Sequence, residues 1–182
     1  GLIGPDGPTQ AGLQDISVMR SIPNIKIFQP ASPIETGAII YHCIQLKVPS
    51  YIRISRQANK EVYNKNYKFI EGKPYVIKNE MRDGVIFTSG NMVERCLDAA
   101  NILKDKYKIG VVNIPSIKPL DKSKILKIIS KTKKIFSVED HSINGGLGSA
   151  ILEIISNQNV KKPFFLHGLK DFTQSGEVEE LY

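Results

Sequence analysis

The chain has 182 residues, carries a formal net charge of +7 and is 41% hydrophobic. This length allows one ordinary domain or two small ones, and the apolar fraction is large enough for a buried core. No run of about eighteen apolar residues is present, and no basic-then-apolar signal segment opens the chain, so we expect no membrane partner.

The positive charge is concentrated in one segment, residues 118–134, which contains seven lysines. A basic surface can bind nucleic acid or other anions. Lys124, Lys127 and Lys131 share one side of a predicted helix whose other side is apolar, and no Phe or Tyr interleaves there for base stacking. We therefore expect a solvated helix face and no nucleic-acid partner.

Cysteine and histidine usage indicates a reduced protein without a metal site of its own. Cys43 and Cys96 fall on predicted apolar helix faces and are expected to be core thiols of a cytoplasmic protein. The sequence has three histidines and no close Cys, His and carboxylate spacing. No metal site built by this chain is predicted.

The first part of the chain is predicted to form a rigid loop followed by a helix and a strand. Glycines and prolines over residues 4–8 exclude a helix or a central strand and hold Asp6 in a turn. Apolar residues at every third position predict a helix over 12–22. A short apolar run over 25–28 predicts a buried strand.

A second helix is predicted over 32–46, with Pro33 at its first position and a capping box between Ser32 and Glu35. Its buried face is predicted to consist of Ile34, Ala38, Tyr41 and Ile44. A strand over 51–54 follows, and the order strand, helix, strand implies a parallel crossover.

Residues 58–80 are rich in Asn, Lys and Tyr and lack a helical period, which indicates a linker. From residue 81 onward, short strands alternate with helices, which predicts a three-layer α/β sandwich. Asp121 is predicted to cap the basic helix and Ser175 the terminal one.

These segments resemble the transketolase family. The run GPDGPTQAGLQDISVMRSIPNIKIFQPASPIE is similar to the later part of the family's pyrimidine-binding domain. The runs GVIFTSGNMV, VVNIPSIKPLD and SVEDHSINGGLGSAILE are similar to its C-terminal domain. The resemblance implies an α/β protein: part of a parallel-sheet pyrimidine-binding domain over 1–57, a linker over 58–80 and a three-layer α/β/α C-terminal domain over 81–182.

The resemblance gives roles to three residues. It implies that Asp6 contacts a hydroxyl beside the reacting carbonyl of the donor sugar; the alternative is a turn that serves only its own backbone. It implies that Arg56, in Ser55-Arg56-Gln57, binds the substrate phosphate through its planar fork; the alternative is a surface salt bridge. It implies that Gln10 lies near the cofactor, where the family has a His facing the aminopyrimidine; an amide cannot titrate, so any proton-transfer role of that His is lost. Arg53, on the opposite side of its strand from Ile52, receives no role.

Two further groups are weighed and given structural roles. Gly145-Gly146-Leu147-Gly148 follows a strand and precedes a helix, but it departs from the dinucleotide-binding spacing, so we expect a tight turn. Glu139, Asp140 and His141 could form an acid/base set. Adjacent strand residues point to different sides, so His141 is expected to fix a loop through a hydrogen bond.

The implied reaction is transfer of a two-carbon ketol unit from a ketose phosphate to an aldose phosphate, with thiamine diphosphate and a divalent metal (Mg or Ca). In this family both are bound mainly outside the matching region, and no certain catalytic residue lies within it. We therefore expect a piece or subunit that is inactive alone.

The implied partners are a sugar phosphate and a diphosphate-binding domain or subunit, in a cytoplasmic homodimer or heterotetramer. One alternative is a deoxyxylulose-phosphate-synthase-like enzyme, which DIS…RSIPN also suits but Ser55-Arg56-Gln57 does not, because those enzymes tend to carry PRG there. The other is a non-catalytic assembly or regulatory module on the same fold.

Overall fold

Residues 6–181 are described by a computed structural model, apart from the side chains of residues 178 and 179. Positions 4 and 5 of the predicted opening loop lie outside the described residues. The helices within this range are α1 (Asp15–Ser21), α2 (Pro33–Gln45), α3 (Met92–Ile102), α4 (Lys122–Ile129), α5 (Leu147–Ser156) and α6 (Val178–Leu181). The strands are β1 (Lys26–Phe28), β2 (Ser50–Ile52), β3 (Tyr75–Lys78), β4 (Gly84–Thr88), β5 (Ile109–Asn113), β6 (Ser116–Lys118), β7 (Ile135–Ser142) and β8 (Phe164–Leu169).

The first sheet has the strand order β2-β1-β6. Strands β1 and β2 are parallel, with Ile27 opposite Tyr51, so the predicted crossover through α2 is confirmed. Strand β6 pairs antiparallel with β1 although it lies about ninety residues later in the chain. Ile117 of β6 and Ile16 of α1 are buried against Ile27, so the two halves of the chain share one apolar core.

The second sheet has the order β3-β5-β4-β7-β8, and all its pairs are parallel except β3 with β5. Along β4, Val85 and Phe87 pack against the α4 and α5 side, whereas Ile86 packs against Cys96 of α3. Helices therefore cover both faces of the sheet, and the predicted three-layer α/β arrangement is confirmed. Strand β3 belongs to this sheet although it lies within the predicted linker range.

Helix α2 is rotated relative to the predicted face. Tyr41 and Ile44, predicted to be buried, are 69% and 71% exposed, and Ile39 and Glu35 are buried instead. The predicted capping box is also wrong, because Ser32 makes no side-chain capping bond and Glu35 accepts from the N–H of Ala31 at 2.8 Å. Counting apolar residues could not reveal that a carboxylate belongs to the inward face.

Glu35 is buried because donors from three parts of the chain surround its carboxylate. In addition to Ala31, the Tyr67 hydroxyl donates at 2.6 Å and the Asn113 amide at 2.9 Å. Burial raises the pKa of Glu35, and these hydrogen bonds oppose that shift. The linker residue Tyr67 is thereby tied to α2 in the first part of the chain and to β5 in the second sheet.

Of the two predicted caps in the second half of the chain, one is confirmed and the other is not. The Asp121 cap is confirmed, since its side chain accepts from the backbone N–H of Lys124 at 3.0 Å. The terminal helix begins at Val178 rather than directly after Ser175. None of the helices within residues 6–181 has the length and apolar character that a membrane crossing requires.

A pair of isoleucines on α2 tests the observed face. Ile39→Ala removes a fully buried side chain, so we expect a loss of about 2–5 kcal/mol in the free energy of unfolding. Ile44→Ala, at a position that is 71% exposed, should change it by less than about 0.5 kcal/mol. Urea unfolding of both variants measures the difference, and equal losses would contradict the observed orientation.

Candidate functional site

The loop that carries Asp6 is closed by its own backbone. The N–H groups of Gln10 and Ala11 both donate to the carbonyl of Gly7, at 3.1 and 3.0 Å. Gly7 has a φ of +71°, and a Cβ on it would lie 2.4 Å from Oγ of Ser175. The positive φ and the close approach both favour glycine here, which holds Asp6 at the start of a tight turn.

Asp6 and Arg56 form an ion pair, with Arg56 Nη1 at 2.5 Å from Asp6 Oδ2. Arg56 lies just beyond the carboxyl end of β2, so the crossover brings it beside the opening loop although 50 positions separate the two residues. Both side chains face solvent, at 69% exposed for Arg56 and 39% for Asp6. The structure thus places two of the predicted site residues together, and their roles in binding stay predictions.

Gln10, the third predicted residue, is exposed in the same loop. Its backbone is fixed by the bond to Gly7 described above. An exposed amide can donate or accept a hydrogen bond, but it cannot exchange a proton near neutral pH.

Three positions before Arg56, Arg53 has a buried guanidinium, which prediction left without a role. Its Nε donates to Asp15 Oδ2 at 2.9 Å, and its Nη1 donates to the Asp140 carboxylate. Its Nη2 donates to the carbonyls of Gly12 at 3.1 Å and Asp140 at 3.0 Å. The Arg53 side chain is only 10% exposed, so water screens these bonds little.

The carboxylates of this cluster are held by further donors. The Tyr51 hydroxyl donates to Asp15 Oδ2 at 2.8 Å, and the Asn91 amide donates to Asp140 Oδ2 at 3.0 Å. Asp15 begins α1, Asp140 lies in β7 and Asn91 directly precedes α3. The cluster therefore joins four elements from both parts of the chain.

Opposite charges keep Arg53 and Asp140 ionised despite their burial. Burial alone would lower the pKa of Arg53, but the charges of Asp140 and Asp15 raise it. Burial alone would raise the pKa of Asp140, but the charge of Arg53 lowers it. Burial and the bond to Asp15 raise the pKa of Tyr51 to about 12, so its hydroxyl stays a donor at neutral pH.

A cavity of about 200 Å³ opens along this cluster. Its polar wall includes Asp15, Tyr51, Arg53 and Asn91, and Ser55 lines it one residue before Arg56. The cavity therefore extends from the buried cluster to the end of β2, which is followed by Arg56.

The glycine-rich loop, residues 145–148, directs its backbone N–H groups at a carboxylate of this chain. The N–H groups of Leu147 and Gly148, at the start of α5, donate to the two carboxylate oxygens of Glu139 at 2.7 and 3.0 Å. A Cβ on Gly146 would lie 2.0 Å from Glu139 Oε2. A carboxylate of this chain thus occupies the place where a phosphate-binding loop would hold its anion.

His141 is fully buried and bonds to the end of its own strand and to α1. Its Nδ1 lies 2.7 Å from the carbonyl of Ser142, and its Nε2 accepts from the N–H of Ser17 at 3.4 Å. These bonds fit a neutral ring that donates from Nδ1, and burial lowers the pKa of His141. The expectation of a loop-fixing histidine agrees with these contacts.

Sequence reasoning missed Asp15, Arg53 and Asn91. The available signal was a second arginine at the end of a strand, on the face opposite Ile52. If such a side chain is buried, it must have partners, because a buried unpaired charge is costly. Its partners lie about 40 and 90 positions away in the chain, beyond the reach of local pattern.

Two protein-family models match this chain. The model described as the transketolase pyrimidine binding domain matches residues 1–61, and the model described as the transketolase C-terminal domain matches residues 74–182.

Curated relatives are similar over most of the chain. One of the subunits of the apulose-4-phosphate transketolase of Actinobacillus succinogenes is 36% identical over 169 residues, which cover 92% of this chain and 54% of that protein. The 1-deoxy-D-xylulose-5-phosphate synthase of Caldanaerobacter subterraneus subsp. tengcongensis is 38% identical over 185 residues, which cover 100% of this chain and 30% of that protein. The chain thus spans about half of the first protein's length and less of the second's.

Solved structures share the fold. A split-gene transketolase described as an inactive beta4 tetramer superposes with a TM-score of 0.84 at 32% identity, covering 88% of this chain and 53% of that one. The transketolase of Campylobacter jejuni superposes with a TM-score of 0.75 at 22% identity, covering 99% of this chain and 27% of that one, which supports the fold alone.

Glu139 makes stability depend on pH. Burial raises its pKa from 4.5 to about 7 against the opposing effect of the two backbone hydrogen bonds. The folded state therefore binds this proton more tightly than the unfolded chain, and the stabilisation is lost as pH rises from about 4.5 through 7. The free energy of unfolding of the wild type should therefore fall by up to about 3 kcal/mol across that pH range, compared with that of Glu139→Gln, which cannot titrate. Urea unfolding at pH 5 and pH 8 measures the change, and a constant difference between the two proteins would contradict it.

Proposed function

The chain belongs to the transketolase family, whose members depend on thiamine diphosphate, and from that premise we propose that it is part of an enzyme that transfers a two-carbon ketol unit from a ketose phosphate to an aldose phosphate. The chain supplies the later part of the pyrimidine-binding domain and the C-terminal domain. In this proposal it forms one wall of the sugar-phosphate site.

The observation that carries this proposal is the exposed pair of Asp6 and Arg56. A carboxylate suited to a sugar hydroxyl lies beside a guanidinium suited to a phosphate. Exposed ion pairs contribute only about 0–1 kcal/mol. A phosphate, with more charge and more acceptor oxygens than a carboxylate, can therefore replace Asp6 as the partner of Arg56 and leave Asp6 to accept from a hydroxyl.

The residues of this chain fit one side of the cofactor. Gln10 presents an exposed amide that can bond to the pyrimidine side. The glycine-rich start of α5 does not fit the diphosphate, because Glu139 already accepts from its N–H groups. When bound, the cofactor supplies the carbanion chemistry of ketol transfer, while this chain binds and orients the sugar.

The diphosphate and a divalent metal (Mg or Ca) are proposed to be held by another domain or subunit. Within residues 6–181, no group of three His, Cys, Asp or Glu side chains is arranged to hold a metal ion. One similar protein is named as a single subunit of a transketolase, which supports a second subunit as the source. A homodimer or a heterotetramer in the cytoplasm satisfies this proposal.

A second candidate is synthesis of deoxyxylulose phosphate, because a synthase is 38% identical over the whole chain. The two functions differ in the donor, which is pyruvate for the synthase and a ketose phosphate for the transketolase. Measuring turnover of the assembled enzyme with each donor distinguishes the two functions. Turnover with neither donor would favour the third interpretation, a non-catalytic assembly or regulatory module.

Arg56→Ala tests the proposed phosphate contact. Losing a charged hydrogen bond of about 1.5–3 kcal/mol should raise KM for fructose 6-phosphate about 10- to 100-fold in the assembled enzyme, with little change for fructose. Arg82→Ala is the control, because Arg82 is 68% exposed and also pairs with an aspartate, Asp83. Equal effects on both sugars would contradict the phosphate role.

The cofactor should bind only to the assembled enzyme. Calorimetric titration of thiamine diphosphate, with Mg²⁺ present, into the 182-residue chain alone should show no tight binding, and the chain alone should show no turnover. Micromolar affinity of the isolated chain would overturn the assignment of the diphosphate site to another region.

A further inference from the structure

Arg53 touches every segment that carries a predicted site residue. It precedes Arg56 by three positions, and its Nη2 bonds to the carbonyl of Gly12, two positions after Gln10, in the segment that begins at Asp6. Its remaining bonds reach Asp15 in α1 and Asp140 in β7. The opening loop, the end of β2 and the second sheet therefore converge on one side chain.

We propose that Arg53 is a positioning residue that holds the Asp6 loop and Arg56 in fixed register, so that the exposed pair presents one preformed sugar-phosphate wall. The proposal rests on the function proposed above. Arg53 does not touch the substrate in this scheme, and it acts through the backbone of the two segments that carry Asp6 and Arg56.

The guanidinium is suited to this task by its shape. It offers five N–H donors in one plane, and four bonds to Asp15, Gly12 and Asp140 set the direction of each segment. A lysine ammonium has three donors on a flexible stem and cannot reproduce this planar arrangement. Replacing Arg53 by Lys thus keeps the charge and removes the geometry.

Burial separates this cluster from the exposed pair. The side chains of Arg53 and Asp140 are 10% and 5% exposed, whereas that of Arg56 is 69% exposed. A buried ion cluster contributes little net stability compared with apolar packing of the same volume. Its distinctive contribution here is orientation, because the three guanidinium nitrogens donate in fixed directions to Asp15, Gly12 and Asp140.

The test is Arg53→Lys in the assembled enzyme, alone and combined with Arg56→Ala. If Arg53 acts through Arg56, Arg53→Lys should raise KM for fructose 6-phosphate about tenfold in the wild-type background. In the Arg56→Ala background it should raise that KM less than about twofold, because the contact it positions is already missing. Inorganic phosphate serves as a second probe, used as a competitive inhibitor. Its inhibition should be weakened by Arg53→Lys in the wild-type background and changed little by it in the Arg56→Ala background.

Arg20→Lys is the matched control. Arg20 is also poorly exposed, at 15%, and joins α1 to the second half through the carbonyl of Gly145 at 2.7 Å and through Glu153. Its side-chain bonds to Gly145, Gly146 and Glu153 involve neither the Asp6 loop nor the end of β2. Its loss should lower stability as Arg53→Lys does and leave KM unchanged.

Failure of the positioning role and failure of the proposed function give different results. If Arg56→Ala leaves KM for fructose 6-phosphate unchanged, the phosphate role of Arg56 is wrong. If Arg56→Ala raises KM but Arg53→Lys does not, or if their effects are additive, the positioning role is overturned.

A structure of the Arg53→Lys variant provides a readout independent of turnover. Displacement of the Asp6 loop from Arg56 supports the proposal, and an unchanged Asp6–Arg56 pair overturns it. If Arg53→Lys fails to fold, Asp15→Asn replaces it, because it keeps the shape of the acceptor and removes its charge. Displacement of the Asp6 loop from Arg56 in that variant supports the proposal, and an unchanged pair overturns it.

Discussion

The ion cluster of Arg53 with Asp15 and Asp140 is the constraint on which the geometry of the candidate site depends. The segment of residues 12–15 and strand β7 both meet this guanidinium, which directly follows β2: Asp15, Asp140 and the carbonyl of Gly12 accept its hydrogen bonds. Removing Arg53 would leave the two carboxylates without their shared countercharge in a region shielded from water, which is costly. The loop, the first sheet and the second sheet are therefore oriented together.

In this molecule the polar groups that fix the fold are buried, and the groups proposed to contact a ligand are exposed. Buried groups such as Glu35 and Glu139 are saturated by donors of this chain, so they stabilise its folded form and are not available to a ligand. The Asp6–Arg56 pair is exposed and can be exchanged. A binding wall requires both properties, since side chains that meet a ligand must be free to change partners while their backbone stays in place.

Local pattern predicted much of the fold, and burial of polar groups explains where it did not. Alternating apolar runs identified the β1–α2–β2 crossover and the layered second sheet, because each such element shows its period within about ten residues. The face of α2 was predicted incorrectly because its inward side contains Glu35, whose donors Tyr67 and Asn113 lie far along the chain. Strand β6 was not predicted because it pairs with β1, from the other half of the chain.

The sequence by itself determined the family motifs, the rigid turn around Gly7 and the arginine at the end of β2, since these depend on residue type and short spacing. Only the tertiary structure decided that Asp6 faces Arg56, that Arg53 joins Asp15 to Asp140 and that Glu139 fills the glycine-rich loop. These are contacts between elements, and their partners are selected by how sheets and helices pack. No local period encodes that choice.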